Sequence, residues 1–206
     1  VWWGMLSACA ASPADPRSQI PSPPKKLVII ITSRFSGALH PLRGRLESPH
    51  AVRYISRPMI KVKQSDLSAT EKRLVQKAIE VRQKAYAPFS HYKCGAALLD
   101  IRNKIHVGCN IETIDFTLTT HAEMDAINGM IKSGVFKLKT IACAVQAGNG
   151  FALPCGLCRQ KIREFAEGPE AKVLAINLNQ RGEIRHISLT TIGEIYPLSF
   201  TPDCLV

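Results

Sequence analysis

No apolar run in the 206-residue sequence approaches the ~20 residues that a membrane-spanning helix requires. The most suspicious stretch, Leu27 to Ile31, is far too short. Acidic residues are scarce: 16 Asp and Glu against 27 Lys and Arg leave a formal net charge of +11. Most of that imbalance lies early, because residues 1–58 hold only Asp15 and Glu47 against eight basic residues. A positive field attracts polyanions, but no basic stripe interleaved with aromatics accompanies it here. Neither a nucleic acid polymer nor a membrane is therefore expected as a partner, and the balance of 46% hydrophobic to 21% charged residues is that of a soluble globular protein. The seven cysteines form no dense, evenly spaced framework. Cys94, Cys109 and Cys143 sit in apolar, strand-like surroundings where a free thiol acts as a small hydrophobe. This usage points to a reducing compartment, the cytoplasm.

Residues 1–58 carry eight of the thirteen prolines and no sustained helix or strand period. Such a segment buries too little apolar surface to offset its ordering entropy. It is expected to be a disordered extension, either transit-like or upstream of a start at Met59; in the transit case the destination is an organelle. Residues 59–206 are expected to form one domain. Ser68-Ala-Thr-Glu71 is a capping-box pattern, and Leu74, Val75, Ala78, Ile79 and Val81 recur at helical spacing toward Tyr86, with Pro88 as the stop. Strands are expected at about 93–101, from the turn at 102–104 to Cys109, and at 138–146, 173–178 and 184–188. Helices are expected at about 120–132, from Pro154 to near Gly168, and near 191–195. Five strands alternating with helices predict a three-layer α/β/α sandwich around a mixed sheet.

Two short motifs open two of these helices. His121-Ala-Glu123 starts one, and Pro154-Cys155-Gly-Leu-Cys158 starts the other. A catalytic zinc site uses three protein ligands and keeps one position open, and His121, Cys155 and Cys158 supply one imidazole and two thiolates. The helix N-terminus favours thiolate over thiol, and two thiolates balance the charge of Zn²⁺. Glu123, two residues beyond the histidine, is placed to exchange protons rather than to bind the ion. Cys-x-x-Cys alone would be a weak signal, but joined to His-x-Glu it is similar to the zinc deaminase signature.

From about Leu67 to Leu205 the chain resembles the cytidine deaminase family. The resemblance rests on Ala85-Tyr-Ala-Pro-Phe-Ser-His-Tyr-Lys-Cys-Gly-Ala-Ala-Leu98, Gly108-Cys-Asn-Ile-Glu112, Pro154-Cys-Gly-Leu-Cys-Arg-Gln160 with Glu164-Phe165, and Pro197-Leu-Ser-Phe-Thr-Pro202. It implies hydrolytic deamination of cytidine or deoxycytidine in pyrimidine salvage, with one Zn²⁺ per subunit held by His121, Cys155 and Cys158 and with Glu123 as the catalytic acid and base. It also implies that Asn110 and Glu112 bind the ribose, that Ala122 and Phe89 contact the nucleoside, and that Phe200 reaches the pyrimidine in a neighbouring subunit's site. The short domain and its tail resemble tetrameric members, whereas His121 resembles dimeric ones, which usually differ from the short type in carrying His rather than Cys there.

The chain departs from the family's pattern at several places. Met124 stands where the three-thiolate members carry Arg, a change consistent with a neutral His-Cys-Cys centre. Thr113-Ile-Asp-Phe116 and Leu153 also differ, beside the expected pocket, and bear on substrate range. Other readings are a deaminase of another aminopyrimidine nucleoside, such as an antibiotic, and a polynucleotide deaminase. A Cys-x-x-Cys oxidoreductase would leave His121 and Glu123 unexplained, and a closed zinc module would need a fourth ligand. Arg159 reads equally as a structural ion-pairing residue or as one near the site, and His91 and His106 are expected to be surface or satisfied histidines.

Overall fold

The computed structural model describes residues 60–148, 150–201 and 204; the expected extension over residues 1–58 lies outside the described residues. In chain order the elements are β1 (Ile60–Val62), α1 (Ala69–Arg82), β2 (Gly95–Asp100), β3 (Ile105–Cys109), α2 (Ala122–Lys132), β4 (Leu138–Val145), α3 (Gly156–Phe165), β5 (Lys172–Leu178), β6 (Ile184–Thr191) and α4 (Ile192–Ile195). They build one sheet of order β1-β6-β5-β4-β2-β3. Only β4 and β5 run parallel, joined through α3; every other neighbouring pair is antiparallel.

The alternation of the strands divides the core in two. Ala96, Leu98, Ile141, Cys143 and Val173 face one side, where Ala126, Ile127 and Met130 of α2 and Ile162 of α3 cover them. Ala97, Ala142, Ala144, Leu174 and Ile176 face the other side and meet Leu74, Val75 and Ala78 of α1. The result is the expected α/β/α sandwich, with six strands rather than five. The extra strand, β1, is a three-residue edge pairing Ile60–Val62 with Ile187–Leu189. Two of its three residues are exposed, so it carries no alternating signal for a reader of the sequence.

Two helices stop earlier than their sequences suggest. α1 closes at Arg82 because the backbone of Tyr86 is needed elsewhere: its N–H donates to Asn110 O (3.0 Å) and its carbonyl accepts from Glu112 N (2.8 Å). Pro88 also keeps the residue before it out of the helical region. α3 ends at Phe165 because Ala166 bridges to Leu138 and Glu167 N donates to Leu138 O.

Close approaches fix how the helices sit. Gly95 lies against the backbone of Ala78 and Arg82 in α1, and Gly108 against the backbone of Ala122 and Ala126 in α2, with no room at either for a Cβ. The α1 capping box forms as expected: Ser68 Oγ accepts from Glu71 N at 3.2 Å, and Ser68 N donates to Glu71 Oε2 at 2.9 Å. Lys172 Nζ at the start of β5 also reaches Glu71 Oε1, at 2.8 Å.

Gly108→Ala is expected to push the first turn of α2 off β3, costing about 2 kcal/mol or more. Thermal unfolding reads this as a drop in Tm of about 4 °C or more. Glu71 gives a second test. Burial raises its carboxyl, but Lys172 and Ser68 outweigh that and bring it from the ordinary 4.5 down to about 2. A carboxylate held below its unfolded value stabilises the fold above that value and loses the contribution as pH falls toward the folded one. Wild type should therefore lose stability between about pH 4.5 and about pH 2 more steeply than Glu71→Gln, as read by urea midpoints.

Candidate metal centre and substrate cavity

α2 and α3 both begin at the same place, beside the first residues of β2 and the last of β4. His121 is the N-cap of α2 and Cys155 the N-cap of α3, both in extended backbone, and neither side chain caps its own helix. Each is thus free to face the other helix. The start of α3 is secured by Arg159, whose Nε donates to Pro154 O at 2.8 Å and whose guanidinium also reaches Ile195 O at 3.2 Å. Of the two readings open for Arg159, the structural one holds, through hydrogen bonds to carbonyls rather than an ion pair.

Nδ1 of His121 lies 3.4 Å from Cys155 Sγ and 3.3 Å from Cys158 Sγ. Among the described residues these three form the one group of His, Cys and acidic side chains close enough to share a metal ion, with donor atoms within 4.8 Å of one another. A tetrahedral ion with bonds of about 2.3 Å to sulfur and about 2.0 Å to nitrogen puts those donors about 3.5 Å apart. The donor set therefore fits zinc in both type and spacing. Burial, then the nearby charge of Glu123, push the Cys158 thiol well above its ordinary value in the absence of a cation.

His121 and Cys155 line a cavity of about 260 Å³ whose other walls include Ser90, Tyr92, Cys94, Asn110, Glu112, Thr119, Ala122, Glu123, Cys143 and Leu153. Glu123, in the first turn of α2, is only 7% exposed and opens onto this cavity. Desolvation first, and Glu123 second, raise Cys94 to about 12. Of the residues singled out from the sequence, Asn110, Glu112, His121, Ala122, Glu123 and Cys155 line the cavity, with Cys158 buried beside it. Phe89 and Phe200 are not among its walls. Phe89 is half exposed and meets the ring of Phe116 edge-on, with centroids 6.0 Å apart. Phe200 is 55% exposed, and its carbonyl accepts from Gln160 Nε2 at 2.9 Å.

Sequence reasoning passed over Ser90, Tyr92, Thr119 and the inward thiols of Cys94 and Cys143. Cys143 is buried as expected and Cys94, just before β2, is half-buried, and nothing in the sequence around them signals that they face a cavity. Asn110 and Glu112 hold the segment that closes one wall. Asn110 Oδ1 accepts from Cys94 N (2.7 Å) and its Nδ2 donates to Tyr92 O (2.9 Å). Glu112 accepts from the amides of Phe89 (3.0 Å) and Ser90 (3.2 Å) and from the Ser90 hydroxyl. The Ser90 hydroxyl leads the groups that hold the Glu112 carboxyl below the usual carboxylate range. His106, by contrast, is a satisfied histidine, with Nε2 2.9 Å from Asp100 Oδ2 far from the cavity. Asn110→Ala is expected to strand the Cys94 amide and the Tyr92 carbonyl and to cost about 2 kcal/mol in chemical denaturation.

Comparison with known proteins agrees with this geometry. The family described as "Cytidine and deoxycytidylate deaminase zinc-binding region" matches residues 68–174. A cytidine deaminase from Sporosarcina psychrophila is 34% identical over 133 residues, covering 65% of this chain and 93% of that protein. One from Halalkalibacterium halodurans is 35% identical over 131 residues, covering 63% of this chain and 93% of that protein. The crystal structure of a cytidine deaminase from Burkholderia pseudomallei superposes with a TM-score of 0.56 at 32% identity, over 65% of this chain and all of that one. A Mycobacterium leprae cytidine deaminase gives a TM-score of 0.51 at 27% identity, over 63% and 99%. With its His-Cys-Cys donors gathered at two helix starts and its fold matched from end to end of such relatives, this chain belongs to the family of cytidine and deoxycytidylate deaminase zinc-binding proteins.

Proposed function

We propose that this chain catalyses the zinc-dependent hydrolytic deamination of cytidine or deoxycytidine, giving the uridine product and ammonia. The observation that carries this reading is that Glu123, His121 and Cys155 open onto one nucleoside-sized cavity, with Cys158 buried beside them in the same donor set. Zinc held there supplies the Lewis acidity that makes water nucleophilic near neutral pH. Glu123, at the same wall, takes a proton from the attacking water and delivers it to N3 of the base, which makes C4 electrophilic. Once the C4–O bond has formed, Glu123 takes the remaining proton from the new C4 hydroxyl and passes it to the exocyclic amine, and the C4–N bond breaks as C4=O forms and ammonia leaves. A buried carboxylate beside the reacting atoms suits both transfers.

Asn110 and Glu112 bind the ribose hydroxyls in this proposal. Their lining positions support this, and their bonds to the 86–94 segment orient them beforehand. The Ala122 backbone and Phe89 border the base and the mouth. Phe200 enters the cavity of a neighbouring copy, a reading supported by its exposure and its place outside its own cavity. The exposed Tyr86, Ile111, Ile114, Phe116 and Leu118 favour a homo-oligomer, proposed as a tetramer with a dimer as the alternative. Unpaired Cys94, Cys109 and Cys143 suit the cytoplasm, where such an enzyme would serve pyrimidine salvage.

Turnover of cytidine, followed by ultraviolet absorbance, tests the reading. Activity is expected to vanish when a chelator strips the metal and to return with added zinc at one per chain. Glu123→Gln is expected to keep its zinc while losing about 10²- to 10⁴-fold in kcat. A zinc-loaded Glu123→Gln enzyme with near wild-type turnover would overturn the role assigned to this carboxylate.

A further inference from the structure

A second cleft, of about 660 Å³, lies beyond the wall formed by the 86–94 segment. It opens at the carboxyl ends of β4 and β5, the parallel pair, where Gln146 and Gly148 follow one strand and Leu178 and Asn179 end the other. Such strand ends are where open α/β sheets place ligands. Four cations line the cleft: Arg82 at the end of α1, Lys93 before β2, Arg181 in the β5–β6 turn and Arg185 in β6. Among the described residues Glu183 is its one acidic wall residue, and Asn179 Nδ2 already donates to that carboxylate at 2.8 Å.

None of the four cations forms an ion pair among the described residues. Arg82 is the most telling, because it is 9% exposed and spends only Nε on a protein acceptor, Lys93 O at 2.9 Å. A guanidinium carries five N–H donors, and a buried one without a counter-ion is costly. Arg185 is oriented by a bond from its guanidinium to Gly148 O at 2.8 Å. Cations brought to one cleft from the end of α1, the segment before β2 and the β5–β6 hairpin suit an anion with several oxygens and more than one charge, whereas a carboxylate would be satisfied by a single fork.

We infer that this cleft binds a phosphoryl group. Ser90 and Tyr92 line both this cleft and the zinc cavity, so the group has two sources: the phosphate of a nucleotide whose base lies in the zinc cavity, or a separate phosphorylated molecule. The inference rests on the cleft itself and not on the reaction next door.

The test is calorimetric titration of the full zinc-loaded chain with inorganic pyrophosphate at low salt. Saturable binding is expected to weaken about tenfold or more in the Arg181→Ala/Arg185→Ala double variant. Because Arg185 also holds Gly148, Arg181→Ala alone is measured in parallel, and it should weaken binding by a smaller factor with an unchanged Tm. No saturable binding at millimolar pyrophosphate, or equal affinity in wild type and the double variant, would overturn the inference. Kinetics then separate the sources. A KM for deoxycytidine monophosphate that rises in the double variant, while that for deoxycytidine stays, assigns the group to the substrate. Pyrophosphate that binds alongside either substrate without changing its KM assigns it to a separate molecule. Loss of all deamination would leave the pyrophosphate titration readable, so the two readings fail independently.

Discussion

α2 and α3 begin with residues whose side chains do not cap them, and the rest of the site depends on that. An N-cap side chain ordinarily satisfies an orphan amide and contributes about 1 kcal/mol. Ser68 and Thr191 do this for α1 and α4, each in a full capping box. His121 and Cys155 turn away and point at one another's helix instead. The sheet makes that convergence possible, because Gly108 lets α2 settle directly on β3, and the β4–α3–β5 crossover starts α3 next to it. Two helix starts with positive ends facing one point favour negative charge there, and the sulfurs of Cys155 and Cys158 stand at that point.

The second structural commitment is the 86–94 segment. It has no regular structure of its own beyond the bridge at Tyr86, yet it closes one wall of the cavity and is held by buried side chains rather than by a ladder. Asn110 and Glu112, just after β3, supply those bonds. The residues implied for ribose binding by resemblance thus already have a structural duty. A ligand reaching them meets polar groups whose positions are fixed before it arrives, which lowers the ordering cost of binding.

Much of this was legible in the sequence, and the parts that were not share a physical reason. His-x-Glu and Cys-x-x-Cys are local spacings, and their meaning depends only on each opening a helix, which Pro154 and the run after Thr120 signalled. The strands were legible because their apolar runs are nearly continuous between turn residues. What the sequence could not show was pairing between distant backbone groups. α1 stops at Arg82 because of Asn110 and Glu112, far downstream, and α3 stops at Phe165 because of Leu138. β1 escaped notice since a three-residue edge has too few positions to show a period. The inward thiols of Cys94 and Cys143 looked like ordinary core cysteines, and only the cavity behind them says otherwise.

The same segment that walls the zinc cavity also separates two regions of opposite charge. Glu112 and Glu123 line one side, and Arg82, Lys93, Arg181 and Arg185 line the other. Successive backbone groups between them are claimed alternately: Tyr92 O by Asn110, Lys93 O by Arg82 and Cys94 N by Asn110 again. Adjacent carbonyls of an extended chain point in opposite directions, so only anchors on both sides could hold all three. A shift of this strip toward either side would stretch bonds on the other. Arg82 from one cleft and Asn110 from the other thus hold the same strip of backbone.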